Sequence, residues 1–210
     1  MTRALAVLRP EPGNAATAAR IAALGLVAIR LPLFAVRALD WKAPDPAAYD
    51  ALLLTSANAV RHGGDALVTL WPLPVFAVGE ATAAAARARG FTVAATGDGG
   101  AEAIVARAAG RRLLHLTGSE HRAVAGVEAI AVYASEPLAI DPAPIEGQVA
   151  LVHSPRAAAA LAAIAERPRV RVAAISAAAA AAAGAGWAGV AVAAAPTDHA
   201  LIAAARRLAD

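Results

Sequence analysis

The fold is decided by residues 50–60, DALLLTSANAV, in which an apolar run passes directly into a pair of hydroxyl side chains. A short continuous apolar run predicts a buried strand. Ser56 is a residue type that caps helices, so this strand should lead at once into a helix. A strand followed directly by a helix is the building unit of a mostly parallel sheet covered by helices.

The same strand-to-helix junction recurs further along the chain. Its further copies are predicted at residues 75–78 before Gly79, 112–116 before Gly118, 149–152 before Ser154, 170–175 before Ser176 and 190–193 before Thr197. The repetition predicts an α/β protein rather than a helical bundle or an all-β sandwich.

The remaining segments carry more local predictions. Residues 3–8 and 26–31 should be strands, joined by a helix that Asn14 caps and Gly25 ends. Residues 32–48 are rich in proline and should form an irregular linker and surface loop. A helix is expected around residues 120–127, followed by a strand at 129–133.

The junctions also repeat at one spacing, which indicates an internal duplication. Ser154 follows Ser56 by 98 residues, Ser176 follows Gly79 by 97, and Ile202 follows Ile104 by 98. The chain should therefore contain two similar α/β domains, each with a mostly parallel sheet flanked by helices.

The composition narrows the class of protein. The chain has 210 residues, of which 59% are hydrophobic and 17% charged, so it can bury a core and is not disordered. The absence of cysteine excludes a disulfide framework and a thiolate nucleophile, and it fits a cytoplasmic location. The net charge is +3, and Lys42 is the only lysine. Arginine forks bind carboxylates in pairs, although a coding bias toward arginine is an equal explanation.

Several function classes find no support in the sequence. The five histidines lack a metal-binding spacing, although His115 and His153 end strands. No glycine-rich dinucleotide or phosphate loop is present, and no signal peptide is visible. The scattered arginines and the 4% of aromatic residues disfavour nucleic acid as a partner. Residues 172–196 carry no charge, but their alanine and glycine content favours strand, helix, turn and strand over a membrane span.

Ligands of open parallel sheets bind beyond the carboxyl ends of the strands. In this sequence most of those ends carry hydroxyl side chains or glycine and begin a helix, where free N–H groups attract anions. Each such residue, taken alone, is more often an ordinary helix cap. Together, in duplicated domains, they suit a ligand that carries several carboxylates.

The ordered set of these motifs resembles the uroporphyrinogen-III synthase family. The similar stretches are LAVLRPEPGNAA at residues 5–16, LTSANAV at 54–60, VFAVGEATAAAARARGF at 75–91, RLLHLTGSEHR at 112–122, the Val-Tyr pair at 132–133, VHSP at 152–155 and the closing APT at 195–197. The resemblance spans nearly the whole chain in the right order.

The resemblance implies a domain organisation. One discontinuous domain would hold residues 1–35 and 136–210, the inserted domain would hold residues 36–135, and two strands would link them. The active site would lie in the cleft between the domains. Similar enzymes use neither a cofactor nor a metal, and a monomer is expected.

The resemblance also implies a reaction. The enzyme would be a lyase that cyclises hydroxymethylbilane to uroporphyrinogen III, with loss of water and inversion of the last ring. Hydroxymethylbilane carries eight carboxylates, and its handover from the synthase that makes it is an open option. Tyr133 is the candidate general acid or orienting group, with a half-buried strand-end tyrosine as the alternative. The candidate substrate contacts are Arg9, Ser56, Asn58, Gly79, Thr82, Gly118, Arg122, Ser154, Arg156, Ser176 and Thr197.

The chain departs from the family pattern at one position. The helix after Ser176 usually carries a threonine near Ala179, whereas residues 177–183 are all alanine here. That departure keeps two other hypotheses open: a non-catalytic module that binds a carboxylate or a tetrapyrrole, and a degenerate paralogue of the synthase with a protein partner. A nucleic-acid-binding protein is a third alternative.

Overall fold

The computed structural model describes residues 2–97 and 99–210. The chain divides into two compact units, which we call the split unit (Met1–Ala35 with Pro137–Asp210) and the inserted unit (Val36–Glu136). Each unit contains its own sheet with helices on both faces.

The elements follow one another in a regular alternation. The strands are β1 (Leu5–Val7), β2 (Ala28–Arg30), β3 (Phe34–Ala38), β4 (Ala51–Leu54), β5 (Val75–Val78), β6 (Val93–Gly97), β7 (Leu113–Gly118), β8 (Glu128–Pro137), β9 (Val149–Val152), β10 (Arg171–Ala174) and β11 (Gly189–Val192). The α-helices are α1 (Gly13–Ala23), α2 (Ala57–His62), α3 (Glu80–Ala88), α4 (Gly100–Arg107), α5 (Pro155–Ile164), α6 (Ala177–Ala183) and α7 (Asp198–Ala209).

The sheet of the split unit has the strand order β11-β10-β9-β1-β2, and all its pairs are parallel. Both faces are buried, which explains why these strands are continuous apolar runs. Helices α5 and α6 cover one face, where Leu161 packs on Val152 and its neighbours. Helices α1 and α7 cover the other face, where Ile21 and Ile202 pack on the sheet.

The sheet of the inserted unit has the order β3-β8-β7-β4-β5-β6. Strands β4 to β8 pair in parallel. Strand β3 lies at the edge; Leu33 pairs with Leu138 and Leu39 with Val132, so β3 runs antiparallel to β8. Helices α2 and α3 cover one face, and α4 covers the other.

The two sheets place equivalent strands in equivalent positions. Reading β2-β1-β9-β10-β11 against β8-β7-β4-β5-β6 matches β9 to β4 and β10 to β5. The order along the chain differs between the units: the parallel strands of the inserted unit begin with β4, which corresponds to β9, whereas the split unit begins with β1. The offset of 97–98 residues therefore relates β4 through α4 to β9 through α7.

The predicted fold class, an α/β fold with mostly parallel sheets flanked by helices, is confirmed. The strands predicted at residues 75–78 and 149–152 have those bounds in the structure. The uncharged stretch at residues 172–196 forms β10, α6 and β11, as predicted. Among the described residues, we find no helix with the length and apolar character needed to cross a membrane.

Several local predictions are wrong. The strands predicted at residues 112–116 and 129–133 continue to Gly118 and Pro137, so His115 and Tyr133 lie within β7 and β8 and do not end them. Helix α1 begins at Gly13, so Asn14 lies inside it instead of capping it; the Asn14 Nδ2 donates to the carbonyls of Val7 (2.7 Å) and Arg9 (3.0 Å). Residues 34–38 form β3 rather than an irregular linker. Residues 120–127 form a loop without a helix, because Gly126 turns the chain at φ +73° and Val124 and Val127 pack directly on the sheet.

Candidate functional site

Each sheet has a point at which neighbouring strands lead to opposite faces, and a ligand crevice is expected there. In the split unit these strands are β1 and β9, which lead to α1 and α5. In the inserted unit they are β7 and β4; β4 leads to α2, and the loop after β7 covers the opposite face. The polar residues differ between the two points: they form an ion-paired cluster in the split unit and line a cavity in the inserted unit.

The crevice of the split unit is organised by one carboxylate, that of Asp198 at the start of α7. Its Oδ1 accepts hydrogen bonds from Thr17 Oγ1 at 2.8 Å and His153 Nε2 at 3.0 Å, and its Oδ2 accepts one from Arg20 at 2.7 Å. A guanidinium nitrogen of Arg9 lies 3.8 Å from Oδ1. We call these five residues the Asp198 cluster.

The Asp198 cluster is saturated with internal partners. Burial alone would raise the pKa of Asp198, but the hydrogen bonds from His153, Thr17 and Arg20 outweigh it and lower the pKa to about 2. The carboxylate is therefore ionised at neutral pH and offsets the charges of Arg9 and Arg20. His153 Nδ1 is buried and has no hydrogen-bond partner among the described residues.

The inserted unit has a cavity of about 340 Å³ at the corresponding place, which we call the inserted-unit pocket. Its polar lining includes Thr55, Ser56, His115, Thr117, Arg122 and Tyr133. Glu102, Glu120 and His121 also line it and are exposed. Three residues predicted from the sequence as site residues, Ser56, Arg122 and Tyr133, therefore meet in one cavity.

Gly118 determines how Tyr133 sits in the inserted-unit pocket. A Cβ atom at Gly118 would lie 2.8 Å from the Tyr133 ring, closer than van der Waals contact permits. The two residues are paired across β7 and β8, so the ring lies over the glycine. The ring of His62 stands 6.3 Å from that of Tyr133, at an angle of 40°. Gly118 is thus part of the site through packing.

His115 lies beneath the same pocket and is 2% exposed. Its Nε2 lies 2.9 Å from Thr55 Oγ1, and its ring meets that of His121 edge-on at 5.9 Å. Burial, assisted by the nearby His121, lowers the pKa of His115 to about 4. The imidazole is therefore neutral at pH 7.

The hydroxyl residues at the strand ends act as helix caps. The side chains of Ser56, Ser154, Ser176 and Thr197 accept hydrogen bonds of 3.1–3.2 Å from backbone N–H groups of the helices they precede. Gly79 precedes α3 with φ +80°, a conformation that favours glycine. Ser56, Gly79, Ser154 and Ser176 follow their strands within two residues, as predicted from the sequence, whereas Thr197 comes five residues after β11 ends.

The other predicted contacts are more dispersed. Asn58 lies in α2, where its Oδ1 accepts a long hydrogen bond of 3.4 Å from Arg61. Thr82 is buried within α3 and is 5% exposed. The Arg156 guanidinium stacks over the Phe34 ring at 4.3 Å. Asn58 and Thr82 do not line the inserted-unit pocket.

Sequence reasoning missed several members of both sites. The sequence predicts that His115 and His153 end strands, which is correct for His153 but not for His115, because β7 continues to Gly118. It does not reveal their partners Thr55 and Asp198, which are 60 and 45 residues away. Thr17 gives no signal at all, because it is one residue of an alanine-rich helix. Among the described residues, no group of three or more potential ligands could hold a metal ion.

Comparison with known proteins gives a consistent result. A family model described as Uroporphyrinogen-III synthase HemD matches residues 15–203. No curated protein matches the chain in sequence. A crystal structure of uroporphyrinogen-III synthetase from Helicobacter pylori has a TM-score of 0.71 and 19% identity over 98% of this chain and 99% of that one. A mutant uroporphyrinogen III synthase from Thermus thermophilus has a TM-score of 0.51 and 17% identity over 89% and 92%. At these identities the two structures support the fold alone.

Proposed function

Since the chain belongs to the uroporphyrinogen-III synthase family, we propose that it cyclises hydroxymethylbilane to uroporphyrinogen III. The proposal includes a monomeric, cytoplasmic enzyme that needs no cofactor. It gives the chain a place in tetrapyrrole biosynthesis and makes it a lyase that releases water.

The proposed reaction has three stages. Loss of the terminal hydroxyl as water leaves an electrophilic azafulvene. The last pyrrole ring attacks this carbon through its own substituted position and forms a spiro intermediate. Fragmentation and reclosure then give the macrocycle with that ring inverted. Because the spontaneous reaction closes without inversion, the enzyme's main task is to select one attack geometry.

The inserted-unit pocket carries this proposal, because it places a hydroxyl acid beside groups that bind anions. Tyr133 is half-buried and held over Gly118, so its hydroxyl has a restricted set of positions. In the proposal it donates a proton to the departing hydroxyl. Arg122 and Ser56 line the same cavity and would hold a carboxylate of the substrate.

The remaining carboxylates of the substrate would be bound at other strand ends. Backbone N–H groups and hydroxyls at the starts of the longer helices α3, α5 and α7 offer donors. The proposed contacts there are Gly79, Thr82, Ser154, Arg156 and Thr197. Arg9, Asn58, Gly118 and Ser176 complete the proposed set.

The experiment is an isomer assay. The purified protein is added to freshly prepared hydroxymethylbilane without metal or cofactor, and the oxidised products are separated into type I and type III uroporphyrins. An excess of type III supports the proposal. Type I alone, at the spontaneous rate, would show that the protein is not a synthase.

A second candidate function is favoured by α6. All seven residues of this helix are alanine, and Ala179, near the position of the family's threonine, is fully buried. The helix thus offers no side-chain hydroxyl, which fits a tetrapyrrole-binding module or a degenerate paralogue. Binding of uroporphyrin III without formation of the type III isomer would favour this function over the synthase.

A further inference from the structure

We propose that Thr55 and His115 form a positioning pair, in which the imidazole of His115 holds the Thr55 hydroxyl as a hydrogen-bond donor toward a substrate carboxylate. The inference rests on the proposed function, because it assigns a carboxylate contact within the inserted-unit pocket. It adds two residues that neither the strand-end pattern nor the family motifs single out as a pair.

The geometry begins with two neighbouring parallel strands. His115 lies in β7 opposite Leu53 of β4, and Thr55 follows immediately after β4. This placement puts Thr55 Oγ1 2.9 Å from His115 Nε2, within hydrogen-bond distance. Both residues line the inserted-unit pocket. Thr55 is half-buried, whereas His115 is 2% exposed.

The other ring nitrogen of His115 determines the direction of the bond. Nδ1 is buried and has no hydrogen-bond partner among the described residues. A neutral imidazole carries one proton, and burial keeps this ring neutral because its pKa falls to about 4. A proton on Nδ1 would be a buried donor without an acceptor, which is rarer in proteins than an under-satisfied acceptor.

The proton is therefore assigned to Nε2, which donates to Thr55 Oγ1. The hydroxyl hydrogen of Thr55 is then not used by His115 and can be donated to another acceptor. With the opposite tautomer, the hydroxyl would donate to Nε2 and offer the pocket no hydrogen. His115 acts through Thr55 and touches no substrate atom, so its role is to position.

A carboxylate is the acceptor that best suits this donor. Ser56 Oγ already accepts from the N–H of Asn58, so its hydroxyl hydrogen is also free to point away from the helix. Arg122 lines the same cavity and contributes charge. The charged groups of the lining, Glu102, Glu120 and Arg122, are all exposed, whereas Thr55 lies deeper. A neutral donor with a fixed orientation binds an anion without reorganisation of the site.

The tautomer is tested directly by ¹⁵N NMR of the histidine rings in the intact protein. We expect the His115 resonances of a neutral ring protonated at Nε2, unchanged from pH 8 down to about pH 5. Protonation at Nδ1 would overturn the proposal. This readout does not depend on whether the protein is an enzyme.

The pair is tested by binding of uroporphyrin III, an octacarboxylate whose fluorescence reports binding without turnover. Thr55→Val, which keeps the shape and removes the hydroxyl, should weaken binding roughly tenfold, the usual effect of losing a hydrogen bond to a charged group. Thr55→Ser should restore most of the affinity, and Thr69→Val on an exposed turn of the same unit is the matched control.

A double-mutant cycle separates positioning from simple packing. His115→Phe should weaken uroporphyrin binding in the wild-type background but add little to Thr55→Val, because both changes remove one donor. In the isomer assay the same variants should raise KM more than they lower kcat. Additive effects of the two substitutions would contradict the proposal. If the wild-type protein forms no type III isomer but the binding cycle is non-additive, the proposed function fails and the positioning pair stands.

Discussion

The two units place equivalent strands at their sheet centres, yet the polar groups at the strand ends are arranged differently in the two units. In the split unit, Asp198 gathers two arginines, a histidine and a threonine into one ionic cluster. In the inserted unit, the corresponding place is a cavity lined by a neutral buried histidine, by hydroxyl side chains and by the exposed charged residues Glu102, Glu120 and Arg122.

The difference shows that a shared backbone pattern does not determine chemistry. A carboxylate that accepts hydrogen bonds from several donors has its charge satisfied within the protein. A cavity lined by hydroxyl donors is a place where an anion from outside can accept the same kind of hydrogen bond. The Asp198 cluster thus contains, within the protein, the same kind of contacts between donors and a carboxylate that the inserted-unit pocket is proposed to make with its substrate.

The largest expected effect on stability is a loss in acid that is caused by His115 of the inserted unit. As the pH falls from 6.5 to 4, His115 takes up a proton in the unfolded chain but stays neutral in the folded protein. The free energy of unfolding should therefore decrease by about 3 kcal/mol over this range. Denaturant unfolding at a series of pH values measures this loss. His115→Gln should remove most of it, and an unchanged slope in that variant would contradict the assigned burial effect.

The next largest expected effect is on catalysis, and it compares the two tyrosines of the chain, which both belong to the inserted unit. Tyr133→Phe should lower kcat about 100-fold with little change in KM, the lower range for loss of a general acid. Tyr49, whose hydroxyl bonds Glu128 and which does not line the pocket, is the control, and Tyr49→Phe should keep its activity. Equal losses in both variants would remove Tyr133 from the mechanism.

Asp198→Asn tests whether the cluster of the split unit is structural. The lowered pKa of Asp198 corresponds to about 2 kcal/mol of stability, present above pH 3.8 and lost as the pH falls through 2. At pH 7 the variant should be less stable by about that amount, as measured by denaturant unfolding. Asp65→Asn, at a fully exposed carboxylate, is the control and should be nearly neutral.

The smallest expected effect tests the duplication itself. Ser56 and Ser154 cap equivalent helices with similar hydrogen bonds of 3.2 and 3.1 Å. Ser56→Ala and Ser154→Ala should each destabilise the protein by about 1 kcal/mol in thermal or denaturant unfolding. A markedly larger effect at one position would show that the two junctions are equivalent in sequence but not in energy.

The success of sequence-based prediction differed between elements for a physical reason. The strands at residues 75–78 and 149–152 and the helix caps Ser154 and Thr197 depend on residues within a few positions, so local pattern predicts them. The helix predicted at residues 120–127 did not form, because Val124 and Val127 pack against a buried cluster built by distant residues of β4, β5, β7 and α4. Asn14 has the chemistry of a helix cap, but carbonyl groups at the end of β1 use its amide instead.

The candidate site likewise contains residues that the sequence could suggest and a pairing that only the structure reveals. Ser56 could be selected because it follows β4, at the edge of the sheet where ligands of parallel sheets bind. Arg122 and Tyr133 are selected mainly from the family resemblance, and Tyr133 does not end its strand as predicted, because β8 continues to Pro137. Thr55 was visible only as a neighbour of Ser56. Its pairing with His115 joins residues 60 positions apart and depends on the register between β4 and β7.

The sequence by itself determined most of the alternation of strands and helices, most of their capping residues and the family, because these depend on short motifs and their order. Only the tertiary structure decided that the polar groups beyond β1 and β9 meet in an ion-paired cluster, whereas those beyond β4 and β7 line a cavity. Asp198 meets Thr17 and His153, and Thr55 meets His115, through strand order and register. Burial at those meeting points then lowers the pKa of His115, while donated hydrogen bonds lower that of Asp198.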